Sequence, residues 1–207
     1  MDACVFCDEE KYKEDIISNG NNFFIKVGFG LMAPGHVLLV SKEHYRCFGD
    51  LPDLLEEEHQ RLKESFIEKI TKKFAKPFLI EYGIWGQSVF HAHKHIIPSR
   101  NQDYNIESII EEVIIKGEID FEEVNVKKLK EIYKLEGSYV SIEEGGRMYL
   151  CHVKSLPNNR EHPYLNLRPF FSQKNGLKGI EDWANIPPEH KQLDEHKRIL
   201  TKRGLID

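Results

Sequence analysis

Residues 86–98 of this chain read Gly-Gln-Ser-Val-Phe-His-Ala-His-Lys-His-Ile-Ile-Pro, and the rest of the sequence is organised around this stretch. His91, His93 and His95 alternate with other residues in a run typical of a β-strand, whose successive side chains point to opposite faces. The spacing therefore predicts three imidazoles on one face of a sheet. Convergent titratable groups indicate a site, although each histidine could instead be satisfied separately by a backbone carbonyl or by water.

Length and composition restrict the class of protein. The 207 residues suffice for one large domain, or for a domain of about 100 residues with an extension. With 40% hydrophobic and 30% charged residues, and no apolar run near the roughly 18 residues that span a bilayer, the sequence is typical of a soluble protein without a membrane partner. The first residues show no signal-peptide pattern, so we expect a cytoplasmic location. The formal net charge of −5 disfavours general nucleic-acid binding.

The sequence up to residue 98 predicts an α+β fold with an antiparallel sheet and one long helix. Strands are predicted over residues 22–27, 36–41 and 78–84, and a histidine strand over 89–97 runs antiparallel to the preceding one. Asp50 is predicted to cap a helix with an apolar stripe over residues 55–74.

The composition changes after residue 98, which suggests a domain boundary. We assign residues 1–104 to a first domain and residues 105–207 to a smaller α+β extension. In the extension, residues 105–123 have an ambiguous helical pattern. Helices are predicted over 125–135, 165–173 and 189–202, and a hairpin over 138–154 that turns at residues 144–146.

The cysteines suggest a metal site. Four cysteines are too few and too irregularly spaced for a disulfide framework. Cys4 and Cys7 form a Cys-x-x-Cys pair, a pattern found in zinc half-sites, in redox motifs and as two small turn residues. No βαβ pattern surrounds the pair, which weakens the redox interpretation. For zinc, His44 and His91 are the candidates that would complete a structural Cys2His2 tetrahedron.

The middle histidine, His93, is the candidate nucleophile. A neutral imidazole is nucleophilic near pH 7 when a hydrogen-bond acceptor holds its other nitrogen and fixes the tautomer. Gln87 and Ser88, in the preceding turn, are neutral donors that could bind a phosphate oxygen or a leaving-group oxygen in the transition state.

The motif of residues 86–95 resembles the signature of the histidine-triad (HIT) superfamily of nucleotide hydrolases and transferases. Residues 33–40, Ala-Pro-Gly-His-Val-Leu-Leu-Val, resemble its second-strand motif, so that the resemblance extends from Cys4 to Pro98. It implies an antiparallel α+β fold, usually a homodimer, in which His93 attacks the α-phosphate of a nucleotide. A nucleotidyl-histidine intermediate would follow, to be resolved by water or another acceptor.

The resemblance also implies roles for further residues. In the zinc-containing branch of the superfamily the ligands correspond to Cys4, Cys7, His44 and His91, which implies a structural Zn²⁺. His95 joins His93, Gln87 and Ser88 as a catalytic candidate, and His36 is a second orienting partner. The substrate-binding candidates are Gln87, Ser88, Lys26 and Arg168.

Two positions depart from the superfamily pattern. Many members carry an Asn or Asp that binds the ribose hydroxyls where this chain has Gly28, so the ribose contact must come from elsewhere. Lys94 stands at a spacer position that is usually apolar. We therefore expect this side of the strand to be less buried, or the Lys94 ammonium to reach solvent.

Residues 139–199 loosely resemble the extensions of some bacterial HIT proteins and of CwfJ-like RNA-processing proteins, through a hairpin, Leu167-Arg168 and Asp182-Trp183. This implies a substrate-covering module in which Arg168 reaches a phosphate, unless Arg168 is an ordinary surface arginine. The sequence thus favours a HIT-type nucleotidyl hydrolase or transferase acting on a nucleoside phosphoanhydride, dinucleoside polyphosphate or phosphoramidate. The alternative is a nucleotide- or RNA-binding module of an RNA-processing assembly with weak or no catalysis.

Overall fold

A computed structural model describes residues 4–28, 30–99, 105–117, 119–154, 156, 167–175, 186 and 188–206. Asp182 and Trp183 lie outside these residues. The strands are β1 (Ile16–Asn19), β2 (Phe23–Val27), β3 (Val37–Ser41), β4 (Pro77–Gly83), β5 (His93–Pro98), β6 (Phe121–Val124), β7 (Tyr139–Glu144) and β8 (Arg147–Cys151). They form one eight-stranded sheet in the order β1-β2-β3-β5-β4-β7-β8-β6, and all neighbouring strands are antiparallel. The predicted α+β class with an antiparallel sheet is confirmed.

Five helices accompany the sheet in the described part of the chain: α1 (Glu56–Lys73), α2 (Ile106–Gly117), α3 (Val126–Glu136), α4 (Leu167–Lys174) and α5 (Pro188–Ile206). The predicted cap at Asp50 is wrong, because short 3-10 turns occupy residues 48–55 and α1 begins at Glu56. The Asn125 side chain caps α3 by accepting a hydrogen bond from the Lys128 amide. Among the described helices, none is long and apolar enough to cross a membrane.

The strands of the extension continue the sheet of the first region. Strand β7 pairs with β4 along its length, from Leu79 opposite Glu143 to Gly83 opposite Tyr139. Without β7, strand β4 would be the exposed edge of the sheet that residues 16–98 form. The two predicted regions therefore share one sheet, and the position of a domain boundary stays a prediction.

Strand β5 is buried on both faces. His93 pairs with Val40 and His95 with Leu38 across β3, while Lys94 points to the opposite face, toward α1. The expectation that Lys94 reaches solvent is wrong, since only 4% of its surface is exposed. The predicted histidine strand was also too long, because β5 begins at His93 and so contains only two of the three histidines.

Lys94 belongs to a buried ionic network between the sheet and α1. The Lys63 ammonium lies 2.7 Å from one carboxylate oxygen of Glu143, and the Lys94 ammonium lies 3.8 Å from the other. Lys94 also lies over the Phe48 ring, 5.2 Å from its centroid. One carboxylate from the extension therefore serves two buried cations of the first region.

We predict that Glu143→Gln destabilises the fold by about 3–5 kcal/mol, because it leaves two buried ammonium groups without their shared counter-charge. Chemical denaturation measures the loss. Glu57→Gln is the matched control: Glu57 pairs only with Arg61 among the described residues, at an exposed position of α1, and its substitution should leave the unfolding free energy nearly unchanged. Equal losses in the two variants would contradict the role assigned to Glu143.

Candidate active site and metal centre

His93 is held in one tautomer by the backbone. Its Nδ1 atom lies 2.7 Å from the carbonyl oxygen of His91, so Nδ1 carries the proton and donates. The neutral ring then has its lone pair on Nε2, the form that nucleophilic attack requires. Burial, together with the nearby charge of Arg168, lowers the pKa of His93 to about 4, so the ring is neutral near pH 7.

His95 and His36 form a second hydrogen-bonded pair on the same face. The Met32 amide donates to Nδ1 of His36 at 3.3 Å, which makes this nitrogen an acceptor. His36 therefore carries its proton on Nε2 and donates it to Nδ1 of His95, 3.0 Å away. As a result, neutral His95 carries its own proton on Nε2. Burial, followed by the charge of Arg168, holds the pKa of both rings well below the usual range.

Arg168 and Lys26 bring positive charge to this face. Arg168 lies in the first turn of α4, and its Nη1 atom is 3.5 Å from Nε2 of His95. Lys26 faces the same side of the sheet, since it pairs with Leu38, which in turn pairs with His95. Its ammonium donates to the Val27 carbonyl at 2.5 Å and lies 3.7 Å from the Asp15 carboxylate. Burial lowers the pKa of Lys26 to about 7.

Gln87 and Ser88 occupy different environments. Gln87 is buried and uses one side-chain N–H to donate to the Arg46 carbonyl at 3.2 Å, whereas Ser88 is exposed. The loop that carries both begins after Ile84, which has a φ of 77°. A β-branched residue in the left-handed region is strained, and such strain is concentrated at functional sites. Ile84 was read from the sequence only as the end of a strand, because no local pattern marks a strained backbone.

Position 28 accommodates only glycine, because the His36 ring packs directly against its Cα atom. A Cβ atom at position 28 would lie 2.6 Å from Nδ1 and Cε1 of the His36 ring. The side chain that would bind ribose at this position is therefore sterically excluded while His36 keeps its hydrogen bonds.

Cys4, Cys7, His44 and His91 converge at the N-terminal end of β5. Their candidate ligand atoms all lie within 4.8 Å of one another. The Nδ1 atom of His91 is 3.4 Å and 3.5 Å from the two sulfur atoms, and that of His44 is 3.1 Å from Cys7 Sγ. Sulfur and nitrogen ligands of a tetrahedral zinc ion are separated by about 3.5 Å, so this donor set fits a structural zinc site.

The surroundings of His91 direct it toward this cluster. Its Nε2–H donates to the Ser41 carbonyl at 2.7 Å, which leaves the Nδ1 lone pair facing the sulfur atoms. Phe6, between the two cysteines in sequence, packs against both His91 and His93, with ring centroids 5.7 Å and 5.3 Å apart. Sequence reasoning missed Phe6 and Ser41, because neither carries a metal-binding or catalytic signature.

Comparison with known proteins identifies the same family that the histidine motif resembles. The sequence model of the HIT domain family matches residues 10–102 of the chain. No curated protein matches the chain.

Several solved structures resemble the chain. A Zn-bound histidine triad family protein from Mycobacterium smegmatis is 23% identical, and the match covers 49% of this chain and 78% of that one with a TM-score of 0.43. A HIT family hydrolase from Clostridium thermocellum is 24% identical, with coverage of 51% and 98% and a TM-score of 0.42. A member of the HIT family from Bacillus subtilis is 22% identical, with coverage of 56% and 97% and a TM-score of 0.43.

We predict that Gly28→Ala destabilises the protein by about 1–3 kcal/mol, because the added methyl group overlaps the His36 ring. A double-mutant cycle with His36→Ala, followed by chemical denaturation, tests the cause. The cost of Gly28→Ala should largely disappear once the ring is removed. An equal cost in both backgrounds would show that the contact with His36 is not responsible.

Proposed function

We propose that this protein is a nucleotidyl hydrolase or transferase of the HIT type, with His93 as the nucleophile. The observation that carries the proposal is the hydrogen bond from His93 Nδ1 to the His91 carbonyl, which leaves the lone pair on Nε2. Nε2 attacks the α-phosphate, the bond from phosphorus to the leaving group breaks, and a nucleotidyl-His93 intermediate forms. Water or another acceptor then releases the nucleotide and returns the lone pair to Nε2.

The other site residues bind and orient the substrate in this proposal. His95, held by His36, presents its Nε2–H as a donor to the reacting phosphate. Lys26 and Arg168 favour an anionic substrate on the histidine face of the sheet. One side-chain N–H of Gln87 and the hydroxyl of Ser88 are the proposed neutral donors of the preceding loop.

We also propose one structural zinc ion bound by Cys4, Cys7, His44 and His91. When bound, the metal supplies a cross-link between the N-terminal segment and the start of β5. This segment includes Phe6, whose packing against His93 would then depend on the metal site. Reduced thiols at Cys4 and Cys7 suit the cytoplasm, which is the location we propose.

The homodimer that the resemblance implies remains part of the proposal, with one restriction. Strand β7 already pairs with β4, so two copies cannot pair through the β4 edge while the fold is intact. A dimer would have to use another surface.

We predict that His93→Ala lowers the release of nucleoside monophosphate by about 1,000-fold or more and abolishes the covalent nucleotidyl-protein intermediate. Adenylated and guanylated substrates with a labelled α-phosphate measure both quantities. His152→Ala is the matched control, because His152 lies at the surface between Glu122 and Glu136 and should not affect turnover. Full activity of His93→Ala would contradict the assignment of the nucleophile.

The same purified protein can be used to test the alternative function, an RNA-binding module with weak or no catalysis. An RNA-binding module would bind RNA oligonucleotides tightly and turn over none of these substrates. Efficient turnover without measurable RNA affinity favours the enzyme.

We predict that the purified protein contains one zinc ion per chain, and that the double variant with Cys4→Ala and Cys7→Ala contains none and unfolds at a lower temperature. Metal analysis and thermal denaturation check this. Cys151→Ala is the control, since Cys151 is buried in the extension and should not alter the zinc content. Zinc-free wild-type protein, or an unchanged metal content in the double variant, would contradict the site.

A further inference from the structure

A cavity of about 600 Å³ lies on the face of the sheet opposite His93 and His95. Helices α1 and α3 and strands β4, β5, β7 and β8 contribute to its lining. Cavities of this size, with apolar walls and a few polar groups, are typical of small-molecule sites. Among the described residues that line it, none is assigned above to catalysis or to the metal. Apolar side chains form part of its wall: Ile67, Leu79, Leu129 and Met148.

Lys94 and Glu143 line this cavity with a donor and an acceptor that do not hydrogen-bond to each other. The Lys94 ammonium lies 3.8 Å from Oε2 of Glu143, which is too long for a hydrogen bond. The other carboxylate oxygen, Oε1, accepts from Lys63 at 2.7 Å. Within the described part of the chain, the Lys94 ammonium donates no hydrogen bond and Oε2 of Glu143 accepts none. Because only 4% of Lys94 and 7% of Glu143 is exposed, both groups need a partner, and a ligand can reach them from the cavity.

The charges around this pair favour a ligand without a net charge. Two ammonium groups, of Lys63 and Lys94, face two carboxyl groups, of Glu143 and of Glu81, which lies opposite Lys94 in the register of β4 and β5. Burial raises the pKa of Glu81, but the exposed Glu64, which also lines the cavity, adds a further negative charge. An anionic ligand would therefore meet these carboxylates and a cationic one the two ammonium groups, in each case at the cost of desolvation.

We propose that this cavity is a ligand site for an uncharged molecule that has an apolar body and a carboxamide or lactam head. The carbonyl oxygen of the head accepts a hydrogen bond from the Lys94 ammonium, and its N–H donates to Oε2 of Glu143. An amide suits this pair because its acceptor and its donor lie side by side in one plane. The apolar body packs against the aliphatic wall of the cavity. Since the site lies on the other face of the sheet from the histidines, the inference does not rest on the proposed function.

Three probes with the same naphthalene body and planar heads of different charge test the recognition of the head. They are 2-naphthamide, which is uncharged, 2-naphthoate, which is an anion, and 2-naphthamidine, which is a cation at neutral pH. Isothermal titration calorimetry of the full chain should give a Kd of about 1 mM or lower for 2-naphthamide. Both ions should bind at least about 10-fold more weakly. Absence of 2-naphthamide binding, or an ion that binds as tightly as the amide, would overturn the proposal.

Two variants locate the binding of 2-naphthamide in the cavity. Lys94→Met keeps an unbranched side chain but removes the donor, and it should raise the Kd by about 10-fold or more. Met148→Trp fills the apolar part of the cavity and should abolish binding. Lys13→Met is the matched control, because Lys13 is exposed, pairs with Glu10 and lies outside the lining, and the Kd should stay unchanged.

An unchanged Kd in either cavity variant would overturn the proposal. Circular dichroism verifies that each variant is folded. Should Lys94→Met not fold, the order of the three probes on the wild-type protein and the loss of binding in Met148→Trp still decide the question.

Discussion

The burial of strand β5 on both faces is the constraint on which the rest of this structure depends. All residues of β5 are buried, so each polar side chain on this strand must find a partner inside the protein. His93 and His95 meet this requirement on one face through backbone and imidazole partners, whereas Lys94 meets it on the other through Glu143. The alternation of β5 thus separates an ionic network under α1 from a neutral histidine cluster on the opposite side.

His91 connects the histidine cluster to the N-terminal segment. Its ring faces Cys4 and Cys7, while its backbone carbonyl accepts a hydrogen bond from Nδ1–H of His93. The residue therefore acts through two different groups, and its position just before β5 makes this possible. In a continuous strand the carbonyl at this position would be available to the sheet ladder. A metal bound by the ring would accordingly restrict the same residue that fixes the tautomer of His93.

Local patterns predicted the elements that are determined locally. The hairpin of β7 and β8 follows from alternating side chains around a Gly-Gly turn, and α3 follows from an Asn cap, an apolar stripe and Gly137 in the left-handed region. The burial of Lys94 could not be predicted, because its partner Glu143 belongs to a strand that joins the sheet only through long-range pairing. The start of β5 could not be predicted either, because it depends on where the strand pairs with β3, which is distant in the sequence. The sequence proposed the ligand residues, but the hydrogen bonds that decide each tautomer come from backbone groups.

The extension is coupled to the histidines by more than Arg168. Asp194 and Thr201 of α5 accept hydrogen bonds from the Leu31 and Gly35 amides, at 3.4 Å and 3.0 Å. Both amides belong to the connection before β3, whose Met32 amide fixes the tautomer of His36 and, through it, the proton of His95. Helix α5 therefore holds the backbone that determines which nitrogen of His95 carries the proton. Helix α4 supplies the Arg168 guanidinium next to that nitrogen. Because the two contributions meet at one nitrogen atom of His95, the extension belongs to the same site as the histidines.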